Sequence, residues 1–257
     1  MIAIIAARMG SGRLPGKVMR PLAGKPILEH LVDRIEESAL FSEIFVATSL
    51  DPRNGPIVEL AHRRSVAVYQ GEEEDVLDRY VQIVRDQGAD NCMRFCADNP
   101  LTDMETAARL VELHKKTTAD YTCVKGLQLQ LGLTECVSSH ALETAHSESD
   151  QRESFTLFIR ENADRFRISA LQPDPFLHQS PYRLTIDYEE DFQLLQSIFD
   201  FLYLGKPIPY RSAIEFLRDN PEIAKINADV EQKPNNRLWE SLDARLPEGN
   251  NCAVESE

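Results

Sequence analysis

Positive charge is scarce in this chain: 28 lysines and arginines stand against 42 aspartates and glutamates, a formal net charge of −14. That balance excludes a general nucleic-acid surface and an anionic-membrane surface, both of which need basic faces. No apolar run approaches the ~20 residues needed to cross a bilayer. No basic stretch precedes an apolar one at the start, where Met1 leads straight into apolar sequence. Neither a signal peptide nor membrane insertion is therefore expected. The five cysteines, at 92, 96, 123, 136 and 252, form no C-x-x-C and no Cys/His zinc spacing. They read as reduced core thiols of a cytoplasmic protein. The six histidines contain no H-x-H or H-E-x-x-H arrangement. No period of about 20–50 residues recurs, which excludes a solenoid.

Against that background, the basic residues between Arg8 and Lys25 stand out. A short apolar run, Ile2 to Ala7, has the length of a fully buried strand. Arg8 to Arg20 follows with three glycines, four basic residues and Pro15, and Pro21 closes it. Such a segment cannot be a regular helix or strand. A loop at the end of a buried strand is where an α/β sheet places its ligand. Backbone N–H groups freed by glycine, with Arg8, Arg13 and Lys17, suit a polyphosphate. A solvated basic connection remains the competing reading. Two common phosphate motifs fail. For a Walker A loop, five residues separate Gly10 from Gly16-Lys17 and three separate Gly12 from it, and Val18 stands where a hydroxyl is needed. The dinucleotide pattern G-x-G-x-x-G misses by one residue.

Downstream, apolar strands at 43–48, 66–69 and 91–96 alternate with amphipathic helices at 26–38, 57–64, 75–86 and 102–114. This βα alternation predicts a parallel sheet wrapped by helices. Beyond Ala119 the rhythm changes. Residues 121–137 read as irregular or antiparallel strand, 141–145 and 154–162 as helices, and 166–171 and 182–186 as strands. Helices are expected at 191–204 and 210–218, and a frayed polar tail from 229 to 257.

Two aspartates end predicted strands. Asp98 lies just past the strand 91–96, where a carboxylate faces the ligand crevice of a parallel sheet. On the residues alone, the turn former before Asn99-Pro100 is the favoured reading. Asp187 ends the segment 182–186 and reads also as an N-cap of the next helix. Asp103 is better explained as a cap, and Asp191 as structural. Asp75 and Arg79 are spaced for an i,i+4 surface pair.

The segment A-R-M-G-S-x-R-L-P-G-K, Ala7 to Lys17, resembles the signature loop of the cytidylyltransferase family. That family includes CMP-KDO synthetases, acylneuraminate cytidylyltransferases and the spore-coat polysaccharide biosynthesis F proteins, the type this sequence most resembles. Gly71 to Tyr80, Met93 to Asp103, Arg183 to Leu195 and Asn220 to Asn227 resemble further family segments, in family order. Ala6, Gly12, Thr134 and Ser154 depart from the pattern.

The resemblance implies a three-layer α/β/α sandwich like the nucleotide-diphospho-sugar transferases, with a mostly parallel sheet and a small antiparallel insertion. It implies one domain over 1–228, with residues 124–170 as the insertion and a possible contact in a homodimer. It implies transfer of CMP from CTP to a sugar or sugar-acid hydroxyl, releasing pyrophosphate, with Mg2+ as cofactor held by Asp98 and Asp187. Arg13, Lys17 and Asp98 would be catalytic. Ala7, Arg8, Gly10, Ser11, Arg13, Lys17, Asp75 and Arg79 would bind the nucleotide. A donor other than CTP, or a sugar 1-phosphate acceptor, is the main rival; the latter would need a second cationic site, for which Arg152, Arg160, Arg165 and Arg167 are available. A glycosyltransferase on the same fold would need a D-x-D motif, and Cys96-Ala97-Asp98 lacks its first aspartate. A nucleotide-binding relative without turnover is the non-enzymatic rival.

Overall fold

The computed structural model describes residues 1–126, 134–178 and 180–231. The expected tail beyond 231 and the segment 127–133 lie outside the described residues.

Strand β1 (Ile2–Ala6) is apolar throughout because both its faces are covered. It leads into the basic loop, which is not entirely irregular. The loop contains a 3-10 turn at Lys17–Met19 and runs into a small hairpin, β2 (Pro21–Leu22) with β3 (Lys25–Pro26). Ala23 (φ 45°) and Gly24 (φ 81°) supply the two positive φ angles that a two-residue hairpin turn requires. The chain continues through α1 (Ile27–Ser38), β4 (Ile44–Ser49), α2 (Gly55–Arg63), β5 (Ala67–Gly71), α3 (Val76–Gln87), β6 (Asn91–Cys96) and α4 (Met104–Thr117). Then come β7 (Tyr121–Val124), β8 (Glu135–Ser138), α5 (Ser139–Glu148), α6 (Phe155–Glu161), β9 (Ile168–Leu171), α7 (Pro175–His178), α8 (Glu189–Leu202), α9 (Tyr210–Asp219) and α10 (Pro221–Ala224).

Seven strands form one sheet in the order β5-β4-β1-β6-β8-β7-β9. Within it β5, β4, β1 and β6 run parallel, while β8 is antiparallel to β6 and β7. The expected mostly parallel sheet with an antiparallel element is what forms. Side chains alternate across it. Ala3, Ile5, Val46, Met93 and Phe95 face a core with α1, α2 and α4. Ile2, Ile4, Phe45, Ala47 and Cys92 face a second core with α3, α5 and α6. A third cluster joins α8 and α9 to Leu22, Leu101, Leu184 and Ile186. The expected three layers are therefore present, with a helical cap over the hairpin.

The order of strands locates the site. From β1 the chain moves outward to β4 and β5, then crosses through α3 to β6 on the other side of β1. β1 and β6 are parallel neighbours, and the helices that follow them, α1 and α4, pack on the same face, so both connecting loops leave the same end of the sheet, the carboxyl end at which an α/β fold places its ligand.

Two expectations fail at 182–187. Residues 182–186 are not a strand. Their alternating apolar residues mimic one, but their backbone groups are bonded elsewhere: the Ile186 N–H donates to the Asp98 carbonyl at 3.0 Å. Nor does Asp187 cap the next helix. Tyr188 is the N-cap of α8, and the Asp191 carboxylate accepts the N–H groups of Asp187 (2.9 Å) and Tyr188 (3.0 Å).

Candidate active site

The loop after β1 folds back on itself. Gly16 and Ser11 N–H groups both donate to the Met9 carbonyl at 2.9 Å, and the Met9 N–H donates to Asn54 Oδ1 at 2.8 Å. Gly16 adopts φ 71°, which a side chain would strain. This reversal drives Lys17 inward, where only 7% of it is exposed.

The Lys17 ammonium meets three oxygens. It donates to Asp98 Oδ2 at 2.6 Å, to Asp187 Oδ1 at 2.9 Å and to the Ile186 carbonyl at 2.6 Å. Burial opposes its charge, but the two carboxylates outweigh burial and hold its pKa above the ordinary 10.5. Arg13 Nη2 donates to the same Asp187 oxygen at 2.6 Å. Arg183 donates to the other Asp187 oxygen at 2.9 Å and to Asp191 at 2.8 Å. Burial acts to raise the Asp187 pKa, yet the charges of Lys17, Arg13 and Arg183 hold it below the ordinary 3.8.

Structure thus brings Arg13, Lys17, Asp98 and Asp187 together, although Asp98 and Asp187 lie far apart in sequence. Asp98 follows β6 at the crevice, tied through its carbonyl to Ile186. Arg183, Asp191 and Asn227 complete the arrangement; they lie in the family-like segments Arg183–Leu195 and Asn220–Asn227, and Asp191 has the structural role expected of it. Asn227 Nδ2 donates to the Arg183 carbonyl (3.0 Å) and to Asp191 Oδ1 (2.9 Å), which gives the segment Asn220–Asn227 a local role. Asn227 reaches Arg183 and Asp191 across 44 and 36 residues, so no spacing pattern marks it.

A second group holds the outer side of the loop. Arg8 lies 3.7 Å from Glu73, and a Cβ on Gly10 would sit 3.1 Å from the same carboxylate. Glu73 also accepts from the Ser49 hydroxyl. Ala7 bonds through its N–H to the Ala47 carbonyl at 3.1 Å, and the Ser11 hydroxyl accepts from the Leu14 N–H at 3.4 Å. Asp75 and Arg79 do not pair with each other. Asp75 caps α3 by accepting the Asp78 N–H at 2.8 Å and binds Arg152 at 2.8 Å. Arg79, 3% exposed, donates to the Glu72 and Glu73 carbonyls and crosses Gly71, where a Cβ would lie 2.8 Å from its Cγ. Both residues shape the segment that carries Glu73.

A third, buried group lies along β6 and β8. Glu135 accepts from the Tyr121 hydroxyl, from Arg160 at 3.3 Å and from Arg94 at 3.1 Å. Arg94 and Cys96 are partly exposed, as is Asp98, whereas Phe95 and Ala97 between them are buried. The arginines available for a sugar phosphate are engaged elsewhere: Arg152 with Asp75 at 2.8 Å, Arg160 with Glu135 at 3.3 Å, Arg165 with Glu148 at 2.8 Å and Arg167 with Asp120 at 3.1 Å.

A crevice at the carboxyl ends of β1 and β6, with a glycine-rich loop, a buried amine and paired carboxylates at its mouth, suits a nucleotidyltransferase. The chain belongs to the cytidylyltransferase family, which it matches over residues 2–227. It is an enzyme of that class, as the resemblance of its first loop implied. It is 38% identical to an uncharacterised protein of Methanocaldococcus jannaschii, covering 91% of this chain and 96% of that protein. It is 32% identical to the spore coat polysaccharide biosynthesis protein SpsF of Bacillus subtilis, covering 87% and 96%. Identity to the 3-deoxy-manno-octulosonate cytidylyltransferase of Escherichia coli is 32%, over only 41% of this chain and 43% of that one. Among solved structures, a cytidylyltransferase from Leptospira borgpetersenii superposes with a TM-score of 0.79 at 27% identity, covering 87% of this chain and 95% of that one.

Proposed function

We propose that this enzyme transfers CMP from CTP to a hydroxyl of a sugar or sugar acid and releases pyrophosphate. The observation that carries the proposal is the Lys17 ammonium, which draws Asp98 and Asp187 to one point beside the glycine loop. In such a transfer the acceptor oxygen bonds to the α-phosphorus as the bond to the pyrophosphate oxygen breaks. Lys17 and Arg13 would bind the triphosphate and offset the charge that develops on the α-phosphate and the leaving group. Gly10 and Ser11 would shape the backbone cradle for the phosphates, the Ser11 N–H itself being held by the Met9 carbonyl, with Arg8 beside them. Asp75 and Arg79 would act at one remove, by fixing the Glu73 segment against the loop.

Magnesium fits this donor set. Two carboxylates already converge on a single cationic atom, and magnesium takes one or two carboxylates with phosphate oxygens and water. Asp98 and Asp187 would hold it. When bound, the ion would neutralise phosphate charge and help align the α-phosphate. SpsF and the sugar-acid relatives support a product destined for cell-surface or spore-coat polysaccharide. The proposal places the enzyme in the cytoplasm as a homodimer of a single domain over 1–228, with residues 124–170 contributing to the contact. No described helix is long and apolar enough to cross a membrane.

Of the arginines considered for a sugar 1-phosphate, Arg160 is buried against Glu135, while Arg152, Arg165 and Arg167 sit in partly exposed pairs, so a sugar 1-phosphate belongs in the acceptor panel. The test is pyrophosphate release with Mg2+ and each of CTP, UTP, GTP and ATP. The acceptor panel would include 3-deoxy-manno-octulosonate and N,N'-diacetyllegionaminic acid. Release with CTP alone is expected. Release with another nucleotide only would replace the donor, and release with none would overturn the reading.

A further inference from the structure

Lys17 stands where a divalent ion would have to stand. Its three N–H donors match three oxygens: Asp98 Oδ2, Asp187 Oδ1 and the Ile186 carbonyl, at 2.6, 2.9 and 2.6 Å. An ammonium with three acceptors is fully satisfied, and only 7% of the residue is exposed. The two carboxylate oxygens that would hold a metal are the two that hold Lys17.

The surroundings sharpen the conflict. Asp187 has no oxygen without a cationic partner, because Arg13 shares Oδ1 at 2.6 Å and Arg183 takes Oδ2 at 2.9 Å. A divalent ion approaching this site alone meets three positive side chains and no uncommitted oxygen on Asp187. The three cations are not equally fixed. Arg183 is 4% exposed and is locked by Asp191, so it keeps Asp187 oriented. Arg13 has a side chain 32% exposed and sits at the mouth, where it can turn to a new partner. Lys17 is on a flexible four-carbon stem. A triphosphate is the anion that can draw both away from the carboxylates.

We propose, on the reading that the crevice binds a nucleoside triphosphate, that Lys17 holds the metal position closed until the nucleotide arrives. The ammonium and the divalent ion compete for the same two carboxylate oxygens. When phosphate oxygens take Lys17 and Arg13, Asp98 and Asp187 are released to the metal. Metal and nucleotide then bind with positive coupling, which linkage makes reciprocal. Lys17 has two successive partners: the carboxylates in the empty enzyme and the phosphates in the loaded one.

The test uses the full chain and Mn2+ alone, with free Mn2+ followed by its paramagnetic resonance signal. No nucleotide is present, so the result is independent of which nucleotide the enzyme uses. Lys17→Met is expected to bind Mn2+ at least tenfold more tightly than the wild type. Lys17→Arg restores a cation and is expected to stay close to the wild type. Adding Asp98→Asn to Lys17→Met is expected to abolish the gain. Lys17→Gln serves in place of Lys17→Met if that variant fails to fold by circular dichroism. A charge-removing variant that binds Mn2+ no more tightly than the wild type overturns the proposal. So does a gain that survives Asp98→Asn, because the ion would then be elsewhere.

Discussion

The Lys17 ammonium donates to Asp98 at 2.6 Å across 81 residues of chain. One group comes from the loop after β1, the other from the turn after β6, and these strands are neighbours in the sheet. The contact exists because both loops leave the carboxyl ends of adjacent parallel strands, and a third segment, 183–187, is bonded to both of them. The activity of the enzyme is expected to depend on that meeting point in separable ways.

Removing the amine should affect the chemical step most. Lys17→Ala is expected to lower kcat on the order of 10²–10³-fold, as for other positioned donors, with a smaller change in nucleotide affinity. Steady-state kinetics with direct binding separates the two. A change confined to KM would make Lys17 a binding residue alone.

The carboxylates should be needed individually. Asp98→Asn and Asp187→Asn are each expected to remove magnesium-dependent turnover while the protein stays folded. Asp187→Asn should also cost about 3 kcal/mol in urea denaturation, since it leaves buried cations without their partner. Either variant retaining more than about a tenth of wild-type activity would take that residue out of the metal site.

Loop glycines should differ sharply. A Cβ on Gly12 meets nothing within 4 Å, so Gly12→Ser, the residue type usual in the resembled loop, should leave stability unchanged. Gly16 has φ 71°, and a Cβ there would lie 3.3 Å from Met9 Cε, so Gly16→Ala should cost roughly 1–2 kcal/mol. Thermal melts of the pair test this, and equal melting temperatures would contradict the loop geometry.

A buried histidine should give an acid-side pH dependence. His114 bonds Thr122 Oγ1 and Asn91 Oδ1, both at 2.8 Å, an arrangement that suits the neutral ring. Burial pushes its pKa from 6.5 down to about 4. The unfolded chain therefore binds the proton first as pH falls. The stabilisation is complete above 6.5 and is lost as pH drops toward 4, by about 3 kcal/mol in total. Urea midpoints between about pH 7 and 4 should fall less steeply in His114→Gln than in the wild type, the remaining slope coming from His30, whose pKa burial also lowers, and from the paired carboxylates. Parallel curves would show that His114 titrates normally.

A buried phenol offers a gain. Tyr210 is 4% exposed, and its hydroxyl has no hydrogen-bond partner among the described residues. Tyr210→Phe is expected to raise unfolding free energy by about 1 kcal/mol. A loss of stability would reveal a partner for that hydroxyl.

Much of the frame is legible from local pattern. Strand β1, the loop ending in Lys17, and Asp98 after β6 follow from apolar run length, glycine content and the rule that parallel sheets place ligands beyond their carboxyl ends. The segment 182–186 reads falsely as a strand because apolar Leu184 and Ile186 alternate with polar Arg183 and Thr185, although all four are buried and the segment's hydrogen bonds go to Asp98, Lys17 and Asn227. The contacts of Arg183 and Asn227 are not legible for two different reasons. Asn227 meets its partners only through the packing of the C-terminal helices, whereas Arg183 pairs within its own segment, with Asp187 and Asp191, from irregular backbone that no helix or strand spacing anticipates. The Asp75–Arg79 spacing allows a surface pair, but the pull of Arg152 on one and of the Glu72 carbonyl on the other prevails.

Whether this crevice takes CTP is decided most simply by a thermal-shift panel of CTP, UTP, GTP and ATP, each with and without Mg2+. A ligand at about 100 times its Kd adds about 2.7 kcal/mol, which for a domain of this size moves Tm by roughly 5–10 °C. A shift with CTP alone is expected, enlarged by Mg2+ and with that enlargement lost in Asp98→Asn. No shift with any nucleotide would contradict the assignment of the loop and its two aspartates to nucleotidyl transfer.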